Sequence, residues 1–440
     1  MNGRSFYIET HGCQMNIYDS GFISDLLLDA GYKEASGPAE ADIILINTCS
    51  VRERAERKAL SRVSELASLN EGRRRALVGI VGCMAQRLGE SLLSHRLRID
   101  LVAGPDSYRR LPALLESLAN GHAPAVDIAQ DHCGTYRRLP RVHDGVTAFV
   151  TIMRGCDNFC SYCVVPYVRG RERSKPHGEI IEEVRHLVDL GVREVTLIGQ
   201  NVNSYDDGEK DFGDLLEAVN RIEGLARIRF TTSHPKDLTE DVIARVRDLN
   251  KVCEHIHLPL QSGSDRILSL MNRGYTSAQY EDIAALARLE IRGVAISTDI
   301  LVGFPSETAE DHLLTLRAIE AVGFESAFMF RYSPRSGTRA AELPDDVAPS
   351  EKTRRLGEVI ALQNRLIDGK KSAMLGEQVE ILVERQSTKE PDFFLGRTRK
   401  NWLAKLPRKG VRRGEIVTVR ITGVSRWMLT CEEVENRTGA

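Results

Sequence analysis

The sequence predicts an α/β multidomain chain in three parts: an N-terminal parallel-sheet βαβ domain, a central open partial (β/α)6 barrel and a small C-terminal antiparallel β-barrel. Three observations predict it. Early in the chain three apolar strands each run into a cysteine, at Cys13, Cys49 and Cys83. Six strand patterns then alternate with helical stretches, and the last part alternates apolar with polar residues between turn residues.

At 440 residues, 42 % hydrophobic and 28 % charged, the chain has room for more than one globular core. Its net charge of -2 hides an asymmetry: Lys389 to Arg426 holds eleven Lys or Arg against Glu390, Asp392 and Glu415, a local +8 that leaves -10 for the remainder. A basic module on an acidic body suits a polyanionic partner. Phe393, Phe394 and Trp402 interrupt the basic run, so base stacking is a further expectation. No run approaches the roughly 20 apolar residues of a membrane span, and the N-terminus lacks an apolar signal core. The expectation is a cytoplasmic chain with no membrane attachment. Nine cysteines, an odd number, point to metal or catalytic chemistry rather than a disulfide framework.

The N-terminal domain is placed at 1–125. Its strands SFYIETH, DIILINT and ALVGIVG alternate with helical stretches near Tyr18 to Ala30 and Arg52 to Leu69, the lengths of crossover helices in a parallel sheet. Ligands of such sheets gather beyond the strand C-termini, so three cysteines at equivalent strand ends are expected in one crevice. Gly79 and Gly82 form only a fragment of a dinucleotide fingerprint, and no P-loop is present, so no nucleoside triphosphate use is expected.

A charged, poorly patterned linker is placed at 126–145 and the core at 146–373. The six core strands are TAFVTIM, EVTLIG, RIRFTT, HIHLPL, VAISTDILV and SAFMFRY, too few for a complete eight-stranded barrel. Gln200 and Asn201, Ser233 and His234, and Gln261 and Ser262 follow the second, third and fourth strands, where barrel active sites form. A helix from Ser350 to Lys371 leads into the C-terminal domain at 374–440, with strand segments QVEILVER, FFLGRTRK, IVTVRITGV and RWMLTCEEV. A compact basic β-barrel of this kind suits looped or single-stranded nucleic acid.

Within CDNFCSYC, Cys156, Cys160 and Cys163 lie just past the first core strand without a fourth cysteine beside them. Thiolates select zinc, copper(I) or iron–sulfur clusters. Zinc would need Cys133, His177 or Cys253 to complete the site, none at finger or ribbon spacing. A four-iron cluster with three protein ligands keeps one iron open, and the spacing favours it. Cys133, Cys253 and Cys431 sit in no motif and read as ordinary buried thiols. Arg169, Arg171, Arg173 and Lys175 in RGRERSK form either a solvated loop or a phosphate clamp at the barrel mouth.

C-x3-C-x2-C with Tyr162 before its last cysteine resembles the radical S-adenosylmethionine (SAM) signature, and CDNFCSYCVVPYVRGRERSKP resembles that of the radical SAM methylthiotransferase family. GCQMN, NTCSVR and GCMAQ are similar to the family's N-terminal cluster motifs, and LGRTRKNW to its C-terminal TRAM module. GQNVNSY, FTTSHP, LPLQSGSDRIL and VGFPSET look closest to the MiaB type, which acts on isopentenyl-adenosine in tRNA. The resemblance spans nearly the whole chain in the right order.

It implies two 4Fe-4S clusters. Cys156, Cys160 and Cys163 would hold the one that chelates and cleaves SAM to a 5′-deoxyadenosyl radical; Cys13, Cys49 and Cys83 would hold an auxiliary one that delivers methylthio sulfur. Tyr162, Gly199, Gln200, Asn201, Ser233 and Gln261 are the expected cofactor-binding residues. Arg397, Arg399, Lys400 and Lys405 are the expected RNA contacts, to a tRNA anticodon stem-loop whose base is splayed out. An electron donor such as flavodoxin or ferredoxin and a monomeric enzyme complete the expectation. Two alternatives keep the chemistry and change the target, to threonylcarbamoyl-adenosine in tRNA or an aspartate of a ribosomal protein. A third is a zinc-containing RNA-binding protein without catalysis.

Overall fold

The structure, a computed structural model, describes residues 3–50, 53–68, 76–94, 98–131, 136, 138–140 and 143–434; Cys133 lies outside them. The N-terminal sheet is parallel throughout, in the spatial order Lys33–Glu34, Ser5–His11, Ile43–Thr48, Leu77–Gly82, Leu101–Ala103 and Ala125–Asp127. Ile43–Thr48 is buried along its full length, as a central strand covered on both faces requires. The helices Gln14–Asp29 and Glu53–Ser68 are the crossovers that the sequence predicts. Chain order reverses between Ser5–His11 and Ile43–Thr48, which opens a crevice at their carboxyl ends.

The last strand extends two residues beyond the expected domain edge at 125. Two described residues of the expected linker contact the domain before it. Tyr136 stacks on Phe22 with ring centroids 4.4 Å apart, and Arg138 pairs with Asp25 at 2.8 Å.

All six core strands form, as Thr147–Thr151, Glu194–Ile198, Arg227–Phe230, His255–His257, Ala295–Val302 and Ser326–Arg331. They make two parallel three-stranded sheets, joined at the seam by a single parallel bridge between Ile228 and Val252. Chain order equals spatial order, and among the described residues no ladder joins the last strand to the first, so the barrel is partial and open. The helix Pro349–Ala373 then leads to a closed five-stranded barrel. Sequence patterning finds four of its strands; the fifth, Leu403–Pro407, is short and Lys-containing but pairs on both edges. Phe394 and Trp402 belong to that barrel's core, so the expected stacking role fails for them; Trp427, 80 % exposed, is the aromatic that faces out.

The small barrel docks on the amino ends of the core strands. Arg227 donates to the Arg397 carbonyl at 2.7 Å and to Glu380 at 2.8 Å, while Arg229 donates to the Thr398 and Arg399 carbonyls at 2.7 and 2.8 Å. Arg399 returns the contact, to Glu254 at 2.8 Å and the Val252 carbonyl at 2.6 Å. This end is opposite the carboxyl ends that carry the cysteine triplet.

Candidate active site

Sheet register brings the N-terminal cysteines together. His11 pairs with Thr48, and Thr48 with Gly82, so three strand ends lie level; Cys49 and Cys83 follow at once and Cys13 two residues on. The Cys49 amide donates to the His11 carbonyl at 3.0 Å. Gly82 turns with φ +96°, and a Cβ there would press on Asn47 Oδ1 and the Thr48 carbonyl. Cys13 is the N-cap of helix Gln14–Asp29, its amide donating to Asn16 Oδ1 at 3.2 Å. A helix N-terminus favours thiolate. A hydrogen bond from Cys49 holds the Cys13 thiol down at about 6 against the cost of burial, and Arg169 helps. Burial pushes Cys83 up, with Arg169 opposing.

The second triplet sits on a loop pinned from several sides. Gly155 donates its amide to Gln200 Oε1 at 2.6 Å and Cys156 to the Gly170 carbonyl at 3.3 Å. Ser161 donates its amide to the Met271 carbonyl at 2.9 Å and its hydroxyl to the Leu270 carbonyl at 2.8 Å. Asn272 holds the Asn158 and Phe159 carbonyls at 3.1 Å, with Phe159 in a left-handed conformation, φ +45°. A non-glycine residue takes that conformation only where its surroundings enforce it. Burial pushes Cys156 up, and burial with the neighbouring Cys160 pushes Cys163 up to about 12. Thiols crowded this way need a cation to ionise together.

Among the described residues no three His, Cys, Asp or Glu side chains converge as ligands of one metal ion. A four-iron cluster asks for less convergence, because each cysteine binds a separate iron. The donor sets fit such groups: three sulfurs each, every set touched by one buried arginine. Arg169 Nε lies 3.2 Å from Cys83 and Arg273 Nη1 3.2 Å from Cys160. Cys253, a zinc candidate, is at the other end of the barrel under the charges of Arg229 and Glu194. His177 begins the helix His177–Asp189 and donates its amide to Asp207.

The two sets face one domain interface. Cys83 packs with Val164 and Val168, just past Cys163, and Cys13 packs against the cluster of Met15, Tyr18 and Ile198. Beside the second triplet a polar cavity of about 470 Å³ is lined by residues including Asp157, Asn158, Glu172, Asn201, Ser204 and Lys236. Asn201 accepts from the His234 amide at 3.0 Å and donates to Asp237 at 2.6 Å. The Ser233 hydroxyl, His234 Nε2 and both ends of the Asn203 amide are buried without partners. Buried polar atoms of that kind mark a place for a polar ligand.

Three other expected cofactor contacts lie outside the lining of this cavity. Gly199 packs closely on Met153, Tyr162 packs with Ile267, Met271 and Phe304, and Gln261, at φ +68°, bridges by backbone to Asp299 and Leu301. Sequence reasoning missed Arg273, Asp19 and Arg154, which no local pattern marks.

RGRERSK is neither a solvated loop nor a phosphate clamp. Arg169 is buried against Asp19 and Cys83, Arg173 pairs with Asp106 at 3.2 Å, and Lys175 is buried on Glu183; only Arg171, paired with Asp157, is exposed. Asp19 and Asp106 belong to the N-terminal domain, so the run serves the interface. The expected RNA contacts divide similarly. Arg399 is spent on docking, Lys405 pairs with Glu390 at 2.8 Å, Arg397 lies near Glu384 at 3.6 Å, and Lys400 is exposed.

Comparison with known proteins agrees with the three-part division. Residues 5–104 match the Uncharacterized protein family UPF0004, 150–319 the Radical SAM superfamily and 372–432 the TRAM domain. Proteins named tRNA-2-methylthio-N(6)-dimethylallyladenosine synthase are similar over almost the full length. The one from Moorella thermoacetica is 44 % identical over 98 % of this chain and 99 % of its own, and the one from Chloroherpeton thalassium 45 % over 94 % and 93 %. In fold, the radical SAM methyltransferase TsrM from Kitasatospora setae matches with a TM-score of 0.57 at 16 % identity, covering 78 % of this chain and 74 % of that one. The cobalamin-dependent radical enzyme OxsB matches at 0.53 and 12 % identity, over 82 % and 56 %. The chain belongs to the radical SAM methylthiotransferase family, with the tRNA-2-methylthio-N(6)-dimethylallyladenosine synthases as its full-length relatives.

Proposed function

We propose that this chain is a tRNA methylthiotransferase that places a methylthio group on carbon 2 of isopentenyl-adenosine next to the anticodon. The observation that carries the reading is the pair of three-cysteine sets, one from each domain, facing a single interface. Two 4Fe-4S clusters and SAM supply radical hydrogen abstraction and sulfur when bound, chemistry that a polar substitution at this carbon does not offer.

The protein's own groups provide placement. Cys156, Cys160 and Cys163 hold one cluster on the pinned loop; Cys13, Cys49 and Cys83 hold the other at the sheet crevice. Asn158, Asn201 and Lys236 line the adjoining cavity and offer polar contacts for SAM, and the Ser233 hydroxyl, His234 Nε2 and Asn203 amide, buried without partners on the same strand-end loops, are further candidates. Gln200 holds the Gly155 amide at the start of the cysteine loop, Gly199 and Gln261 follow the second and fourth core strands, and Tyr162 packs on Ile267, Met271 and Phe304. The basic C-terminal barrel, with Lys400, Arg397 and Lys405, meets the anticodon stem-loop. The domains follow the boundaries 1–125, 146–373 and 374–440 with 126–145 as linker, the enzyme works as a monomer, and a flavodoxin- or ferredoxin-like donor supplies electrons. Among the described residues no helix is long and apolar enough to cross a membrane, in keeping with a cytoplasmic site of action.

Anaerobic reconstitution should give about eight irons per chain and negligible zinc. Incubation with isopentenylated tRNA, SAM and reductant should give the 2-methylthio nucleoside by mass spectrometry. Cys160→Ala should abolish 5′-deoxyadenosine formation, whereas Cys49→Ala should keep it and lose the methylthio product. Product formed by Cys49→Ala, or a zinc-only chain, would overturn the reading.

A further inference from the structure

Asp19, on helix Gln14–Asp29, is a buried carboxylate shared by two arginines of the central domain. Arg154 Nη2 lies 3.1 Å from Oδ1 and Arg169 Nη2 2.8 Å from Oδ2, with side-chain exposures of 2 %, 3 % and 1 % for Arg154, Arg169 and Asp19. The Tyr108 hydroxyl donates to the same Oδ2 at 3.4 Å. An arginine does not shed its proton on burial, so two positive charges meet one negative charge out of water. Each guanidinium also keeps a buried N–H without a partner, at Nη1. An uncompensated buried cation with free donors requires an anion beside it.

The neighbouring anion is indicated by Arg169 itself. Its Nε lies 3.2 Å from Cys83 Sγ, and its charge acts on Cys13 as well. Asp19 and the three cysteines come from the N-terminal domain, while both arginines come from the core. The excess charge and the sulfurs therefore meet only when the two domains dock.

We infer that Arg169 is a positioning residue for the auxiliary cluster, reaching across the interface to donate to Cys83 and to place its excess positive charge beside the three sulfurs, which would raise the cluster's reduction potential and couple its retention to domain docking. The inference rests on the reading of Cys13, Cys49 and Cys83 as cluster ligands. Hydrogen bonds to sulfur and local net charge are two of the levers by which a protein sets such potentials. Asp19 opposes the effect, because it neutralises part of the charge and orients the guanidinium.

The test uses the full chain with Cys156, Cys160 and Cys163 replaced by Ala, so that only the auxiliary cluster forms. Iron analysis should give about four irons per chain; failure to hold them sinks the cluster reading itself. In that background an EPR-monitored redox titration should place Arg169→Gln at a more negative potential than the parent, Arg169→Lys between them, and Asp19→Asn at a more positive potential. Iron lost from Arg169→Gln and regained in Arg169→Lys would support the retention role. An unchanged potential in Arg169→Gln with four irons bound would overturn the inference and leave the cluster reading standing. So would an Asp19→Asn potential that stays put or falls, a result that a purely structural ion pair would produce.

Discussion

Arg273 Nη1 is 3.2 Å from Cys160 Sγ while the same side chain reaches the Pro259 carbonyl at 3.3 Å and the Tyr275 hydroxyl at 3.1 Å. The middle sulfur of the triplet is thus tied to the far side of the barrel mouth. A hydrogen bond to a charged group is worth about 1.5–3 kcal/mol. Arg273→Met is therefore expected to lower 5′-deoxyadenosine formation by about ten- to hundredfold, measured chromatographically on anaerobic protein. A rate equal to that of the parent would show that Arg273 only packs.

Gly155 fixes the approach to the same loop. Its φ is +80°, and a Cβ would run into the Arg171 carbonyl oxygen and crowd that of Gly170. Gly155→Ala should disturb the loop and lose the SAM cluster alone, taking iron from about eight to about four per chain. Full iron content in this variant would contradict the steric argument.

Lys175 and Glu183 form an ion pair with side chains 0 % and 1 % exposed, and the Tyr18 hydroxyl of the N-terminal domain also donates to Glu183 at 3.2 Å. Removing one member strands the other charge. Lys175→Met should cost about 3–5 kcal/mol, and adding Glu183→Leu should recover much of it. Urea denaturation of the single and double variants measures both steps.

Arg399 and Lys400 are adjacent in sequence and separate in role. Arg399→Ala breaks the contacts to Glu254 and the Val252 carbonyl and should destabilise the chain by about 1–3 kcal/mol. Lys400 is exposed, and Lys400→Ala should leave thermal stability alone and reduce the salt slope of tRNA binding by about one. Equal effects of the two changes on the salt slope would place Arg399 on the RNA after all.

Burial, with the charges of Arg273 and Lys236, drives His234 down to about 2; burial, with Arg229, His257 and Arg397, drives His255 down to about 3. Both stay neutral in the folded chain while the unfolded chain protonates them below about 6.5. Their contribution is complete above that pH and is lost as pH falls from about 6.5 toward about 3 for His255 and about 2 for His234, each by up to about 1.4 kcal/mol per pH unit. His255→Gln should flatten the fall in denaturation midpoint between pH 7 and pH 5. A slope as steep as the parent's would show that His255 is charged when folded.

What was legible in the sequence was local. The spacing of Cys156, Cys160 and Cys163 sets one ligand triplet within a single loop. The phase of three strands, each followed by a cysteine, anticipates the level ends at His11, Thr48 and Gly82, because parallel pairing aligns equivalent positions of successive strands. Strand and helix periods likewise reveal the six-stranded open barrel, since side-chain direction alternates with a fixed period in each element.

Only the tertiary structure decided what the charges do. Asp19 and Arg169 stand 150 positions apart, and Arg227 and Arg397 170, so nothing beside either residue announces its partner. RGRERSK reads as exposed because four cations lie close together, yet three of them are buried or half-buried against carboxylates placed by helix packing and domain docking, with Arg169 sharing its carboxylate with Arg154. Burial of a charge depends on a counter-charge arriving from another part of the chain, and that arrival is a property of the assembled fold.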